Sequence, residues 1–289
     1  MITLKLKPWN LFAGLLAVLG AASPAAPAEQ SAANPAQALV KRYAGALVHI
    51  NLVVSLKVTA AGQALPAREI KRDVVGTVVS PAGLIVLSLA ALDPSEMLEG
   101  TRINTAKGPV QLEAVGSEFK AVKIRRPDGS EVAARVVMKD NDLDLAFVAP
   151  VQPDALSPYV FVDLANEATP ELLGTGYVLS RASRAFQSAP VIQRSDIISI
   201  LEKPRRRLLV QTAAASCPMF DAEGRVYGIC VRQMAGGRLA GTYVLSAADV
   251  AEVAKQAAAE AAKPIEQPAP TVEESPAPEK KPEPEPAKG

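Results

Sequence analysis

The chain has 289 residues, 49% of them apolar and only 4% aromatic, with a formal net charge of +1. That length allows one large domain or two small ones, with a core built mainly from Val, Leu, Ile and Ala. The near-zero charge gives no global drive toward nucleic acid or acidic membranes. A single histidine and two cysteines support no zinc site, and neither a metal nor any other cofactor is expected.

In chain order, the N-terminus reads as a secretory signal peptide over residues 1–28. Lys5 and Lys7 form a basic start, and Trp9 to Ala22 is an apolar stretch. It is shorter than the roughly 18–20 residues of a spanning helix. Ala26-Pro27-Ala28 then offers a small-x-small cleavage site; the alternative is an uncleaved anchor. The expectation is an exported protein, periplasmic, in the cell envelope or extracellular, with no transmembrane span after signal cleavage.

Residues 29–38 read as a polar lead-in and 39–263 as the folded part. Ala46–Val58 is rich in β-branched residues in rough alternation. Val74–Val79 ends at the turn Ser80-Pro81-Ala82-Gly83, and Leu84–Leu87 resumes as a strand. Ala121–Ile124 and Val132–Met138 flank the hairpin signal Arg126-Pro127-Asp128-Gly129. Leu145–Val148 follows. In the second half the strand candidates are Tyr177–Leu179, Val191–Leu201, Leu208–Thr212, Met219–Phe220, Val226–Val231 and Gly241–Leu245, with another turn at Asp221–Gly224. Ser246 is a good N-cap for a helix over 247–262. Residues 264–289 are rich in Pro, Glu and Ala and read as an extended, solvated tail. Many short strands and one terminal helix predict an all-β barrel or sandwich.

Three further features stand out. His49, between Val48 and Ile50, reads as a structural or surface histidine. Cys217 and Cys230 flank the Asp221–Gly224 turn, so they fall on neighbouring strands as either a disulfide or two buried thiols. The run Lys203-Pro204-Arg205-Arg206-Arg207 is a solvated loop or a candidate anion contact through Lys203, Arg205, Arg206 and Arg207.

Three blocks, in order, resemble the HtrA-type (Deg-like) branch of trypsin-like serine proteases. GTVVSPAGLIVLSLAAL at 76–92 resembles the stretch leading to that family's catalytic histidine, which lies seven positions after the turn glycine, here Gly83. That position is Ala90. KIRRPDGSEVAARVVMKDNDLDLAFV at 123–148 resembles the second block and puts Asp144 on the catalytic aspartate. QTAAASCPMFDAEGRVYGI at 211–229 resembles the nucleophile block. Counting back from Pro218 places the nucleophile on Ala215, with Ser216 and Cys217 where the family has two glycines and Ala213 in the oxyanion region. The family's usual PDZ module is absent.

The resemblance implies a pair of antiparallel β-barrels, N-terminal over 39–150 and C-terminal over 155–246, followed by a helix. It also implies a triad reduced to its carboxylate. A serine nucleophile needs an adjacent base; Ala90 cannot accept a proton and Ala215 cannot attack. Ser216 by a one-residue slip, or Cys217 as a thiolate, could stand in only if a base met it. The expectation is a catalytically inactive protease homologue that binds a peptide or protein in the inter-barrel cleft or at a sheet edge. The alternative is an active or atypical serine endopeptidase of the same family, and the oligomeric state is left open.

Overall fold

The structure is a computed structural model that describes residues 34–264, apart from 106–107, 127, 153–157 and 236–237. The expected signal peptide, and the tail beyond residue 264, lie outside the described residues.

The first half forms strands β1 (Leu47–Ala60), β2 (Gln63–Ala64), β3 (Arg68–Val78), β4 (Ile85–Ser88), β5 (Arg102–Thr105), β6 (Gly108–Arg125), β7 (Glu131–Asp140) and β8 (Leu145–Pro150). They hydrogen-bond antiparallel in the order β2-β1-β3-β4-β8-β7-β6-β5, and a further pairing of β1 with β6 closes six of them into a ring. Two one-turn helices, α2 (Leu89–Leu92) and α3 (Ser95–Leu98), follow β4. The second half supplies β9 (Thr175–Arg181), β10 (Pro190–Leu201), β11 (Arg207–Val210), β12 (Pro218–Phe220), β13 (Val226–Ala235) and β14 (Arg238–Ser246). These form a closed antiparallel barrel in the order β10-β11-β14-β13-β12-β9. The all-β fold of two antiparallel barrels and a C-terminal helix is therefore present.

Alternation builds the first barrel. In β1, Val48, Ile50, Leu52, Val54 and Leu56 are buried on one face, as a period of two requires of a strand with one face on a core. β4 and β8 are buried on both faces, with Ile85, Val86, Leu87, Leu145, Ala146, Phe147 and Val148 all inside. They lie where the first barrel meets the rest of the chain. Gly228, on β13, has no alternative residue: a Cβ there would sit 1.8 Å from the Leu245 carbonyl oxygen. Gly83 holds φ +85° in the turn between β3 and β4, against the Tyr159 ring.

The terminal helix α4 (Ala247–Ala261) starts as the sequence predicts, with Ser246 Oγ accepting from the Asp249 amide at 3.1 Å. Its Val250, Val253 and Ala257 face is buried against β7, β8, β13 and β14. Arg135, on β7, donates to the carbonyls of Ala261 at 2.9 Å and Lys263 at 3.1 Å, so a cation meets the negative end of the helix. The one-turn helices α2 and α3 were not anticipated, and neither was a longer one at the N-terminal end. α1 (Pro35–Tyr43) begins inside the stretch read as a polar lead-in. Pro35 suits a first helical position, and the helix is anchored by Tyr43. That ring stacks on Phe220 at 4.5 Å, and its hydroxyl donates to the Gly224 carbonyl at 3.0 Å.

Candidate functional site

The residues that the resemblance points to come together between the barrels. Asp144 stands just before β8 with φ +54°, a left-handed conformation that Asp tolerates better than most residues. Its Oδ1 accepts from the Ala90 amide at 2.7 Å. Its Oδ2 accepts from the Arg232 amide at 2.8 Å and from the Ser88 hydroxyl. Three donors therefore meet the two oxygens, two from the first barrel and one, Arg232 on β13, from the second. Burial pushes this carboxyl above its ordinary value, against the hydrogen bonds that favour its charged form.

Ala90, on α2, is buried. Its backbone amide holds the Asp144 oxygen, and its side chain adds only a methyl group. Arg232 reaches over the position and donates from Nη1 to the Ala90 carbonyl at 3.3 Å. Arg72, on β3, donates from Nη2 to the Ala91 carbonyl at 2.7 Å.

Ala215 lies half-buried in the loop before β12, and Ala213 packs against the second barrel's core cluster. The next residue, Ser216, is fully buried with φ +70°, a conformation costly for a residue with a Cβ. All of its polar groups are engaged. The amide donates to the Cys230 carbonyl at 2.7 Å, and its own carbonyl accepts from Thr77 Oγ1 at 2.7 Å. Its Oγ accepts from the Ser88 amide at 3.0 Å. Ser216 thus ties β3 and β4 of the first barrel to the β12–β13 region of the second. Among the described residues no imidazole, amine or carboxylate hydrogen-bonds to the Ser216 hydroxyl.

Cys217 and Cys230 do fall opposite one another, the Cys230 amide donating to the Cys217 carbonyl at 2.8 Å. The structure holds both as free, buried thiols rather than as the candidate disulfide. Each behaves as a small apolar side chain in the second barrel's core cluster. Burial pushes the Cys230 thiol up to about 12 and the Cys217 thiol up as well. A nucleophilic thiolate needs the opposite shift.

The basic run also departs from its anion-contact reading. Arg205 pairs with Asp249 at 2.6 Å, and Arg206 meets Glu202 at 3.4 Å. Arg207 donates to Gln233 Oε1 at 2.9 Å and lies over the Tyr243 ring. Lys203 is exposed. The adjoining cavity holds Asp142, Glu167, Glu202, Asp249 and Glu252 beside the three arginines, an excess of negative charge that repels an anion.

Two residues of this cluster escaped the sequence reading. Ser88 had a signal: a lone hydroxyl inside the apolar run Leu87-Ser88-Leu89 must find a partner if buried. Arg232 had none, since its bond to Asp144 comes from the main-chain amide. His49 takes part in none of these hydrogen bonds. It is 6% exposed, and its Nδ1 meets Asp73 Oδ1 at 2.8 Å. Among the described residues, no helix is long and apolar enough to cross a membrane. The chain matches no family model, and no curated protein matches it.

Proposed function

We propose that this protein is an exported, non-catalytic homologue of trypsin-like proteases that works by binding a peptide or protein segment. The observation that carries the reading is the saturation of Asp144. Its oxygens are taken by Ser88, Ala90 and Arg232, the positions of the missing base and nucleophile are alanines, and the neighbouring Ser216 hydroxyl is engaged without a base. Among the described residues, no base is hydrogen-bonded to Ser216 to take its proton. The retained double barrel offers a frame for recognition. β5 is the last strand of its sheet, paired on one side by β6 only, and such an edge can take an extended segment by strand addition. The basic start and the short apolar stretch of residues 5–22 support export.

Incubation of the full chain with a fluorophosphonate probe, followed by intact-mass measurement, and a parallel casein digestion test the reading. The expected result is no adduct and no cleavage. Covalent labelling of any serine, with hydrolysis lost when that serine becomes alanine, overturns it in favour of an active endopeptidase.

A further inference from the structure

A second polar cluster lies away from the cleft, where the first barrel meets the connection from β9 to β10. A cavity of about 290 Å³ is bordered there by His49, Arg125, Arg126, Arg181, Arg184 and Asp128. That is close to the lower end of the volume range of small-molecule sites. Some of these side chains have structural duties. Arg181 donates to the carbonyls of Leu47 at 2.6 Å, Ala44 at 2.5 Å and Ser188 at 2.8 Å. Arg184 holds Asp73 Oδ2 at 2.7 Å and Asn51 Oδ1.

Others are left over. The Arg125 guanidinium has no hydrogen-bond or ion-pair partner among the described residues. His49 is buried with Nδ1 on Asp73, and its Nε2 has no partner. A buried polar atom without a partner is costly and calls for an explanation. The cavity lining brings together the four arginines Arg125, Arg126, Arg181 and Arg184 and one carboxylate, that of Asp128, with Asp73 held behind them by His49 and Arg184. Planar guanidinium forks match the oxygens of phosphate and sulfate.

We propose that this cavity binds a small dianionic ligand through a tetrahedral oxyanion, a phosphate or sulfate group. Arg125 is its chief charged donor, and His49 closes its floor. This inference does not rest on the non-catalytic reading of the cleft.

His49 is the only histidine in the chain, so a tag-free sample gives a single imidazole spin system in a proton–nitrogen correlation spectrum. Titration of the full chain with inorganic phosphate, and separately with inorganic sulfate, is expected to move that signal saturably. Sodium chloride at matched ionic strength is not. Arg125→Gln, which removes no hydrogen bond or ion pair among the described residues, weakens phosphate binding about tenfold or more. Lys120→Gln removes one positive charge outside the cavity and leaves the affinity within about twofold, as expected for a charge exposed to screening. The proposal is overturned if neither anion moves the signal saturably in the unsubstituted protein, if chloride reproduces the shift, or if Lys120→Gln weakens binding as much as Arg125→Gln.

Discussion

The cluster around Asp144 and the cavity beside His49 are both built on a partly buried carboxylate that joins the two halves of the chain, yet they end in opposite states. At Asp144 neutral donors meet both oxygens: a hydroxyl and two backbone amides. The neighbouring Ser216 likewise has its amide, carbonyl and hydroxyl engaged. At Asp73 the partners are a histidine and an arginine, and beyond them stand a histidine nitrogen and a guanidinium without partners. A site whose groups satisfy one another acts as a clasp; a site with donors left over has capacity for a ligand. The polar residues alone do not separate the two cases, because both clusters are rich in them. What separates them is the balance between donors and acceptors.

The largest effect expected from breaking this comparison is at the clasp. Asp144→Ala leaves the Ser88 hydroxyl and the amides of Ala90 and Arg232 without an acceptor inside the protein, and costs about 4 kcal/mol of unfolding free energy at roughly 1–3 kcal/mol per stranded group. Denaturant unfolding monitored by circular dichroism measures it. A loss within the range of an ordinary surface substitution breaks the distinction between clasp and cavity.

A smaller effect sharpens it through pH. The folded state raises the Asp144 pKa above its ordinary 3.8, so the folded protein binds this proton more tightly than the unfolded chain does. The contribution is fully present below the ordinary value and fades as pH rises through the raised one. Acidification from neutrality into that window therefore adds stability through Asp144, and Asp144→Asn removes that part of the slope. An identical slope in both proteins argues against a buried, ionised carboxylate.

The smallest effect belongs to the cavity. Arg184→Ala breaks an ion pair whose arginine is half exposed and costs about 1 kcal/mol or less, the range of solvent-screened pairs. A loss as large as that of Asp144→Ala makes the cavity wall a second clasp instead.

Much of the fold was legible in the sequence, and for identifiable reasons. β1, β4, β8 and β13 are runs of β-branched and aliphatic residues, and Ser246 announces α4 through its hydroxyl. The missed pieces carry weaker patterns. β6 extends from Gly108 to Arg125, but Glu113, Glu118 and Lys120 interrupt it ahead of Ala121, so only Ala121–Ile124 stood out. β5 is short and polar. α1 shows just Leu39 and Tyr43 as buried residues, too few to set a helical period, and depends on the barrel it packs against. At the cleft, Ala90 and Asp144 were placed side by side by the resemblance. The replacement of side chains by main-chain donors could not be read from residue identities. The His49–Asp73 contact is set by register across β1 and β3, where His49 faces Val75 and Asn51 faces Asp73. The arginines of the cavity come from segments more than fifty residues apart, and their own spacing carries no signal.

The central claim is that Asp144 holds the barrels together through the amides of Ala90 and Arg232, and amide hydrogen exchange of the native full chain tests it most directly. The account expects those two amides to be protected to the level of the β8 and β13 core and to lose that protection together in Asp144→Ala. Fast exchange at Ala90 and Arg232 in the unsubstituted protein, with β8 and β13 still protected, contradicts it.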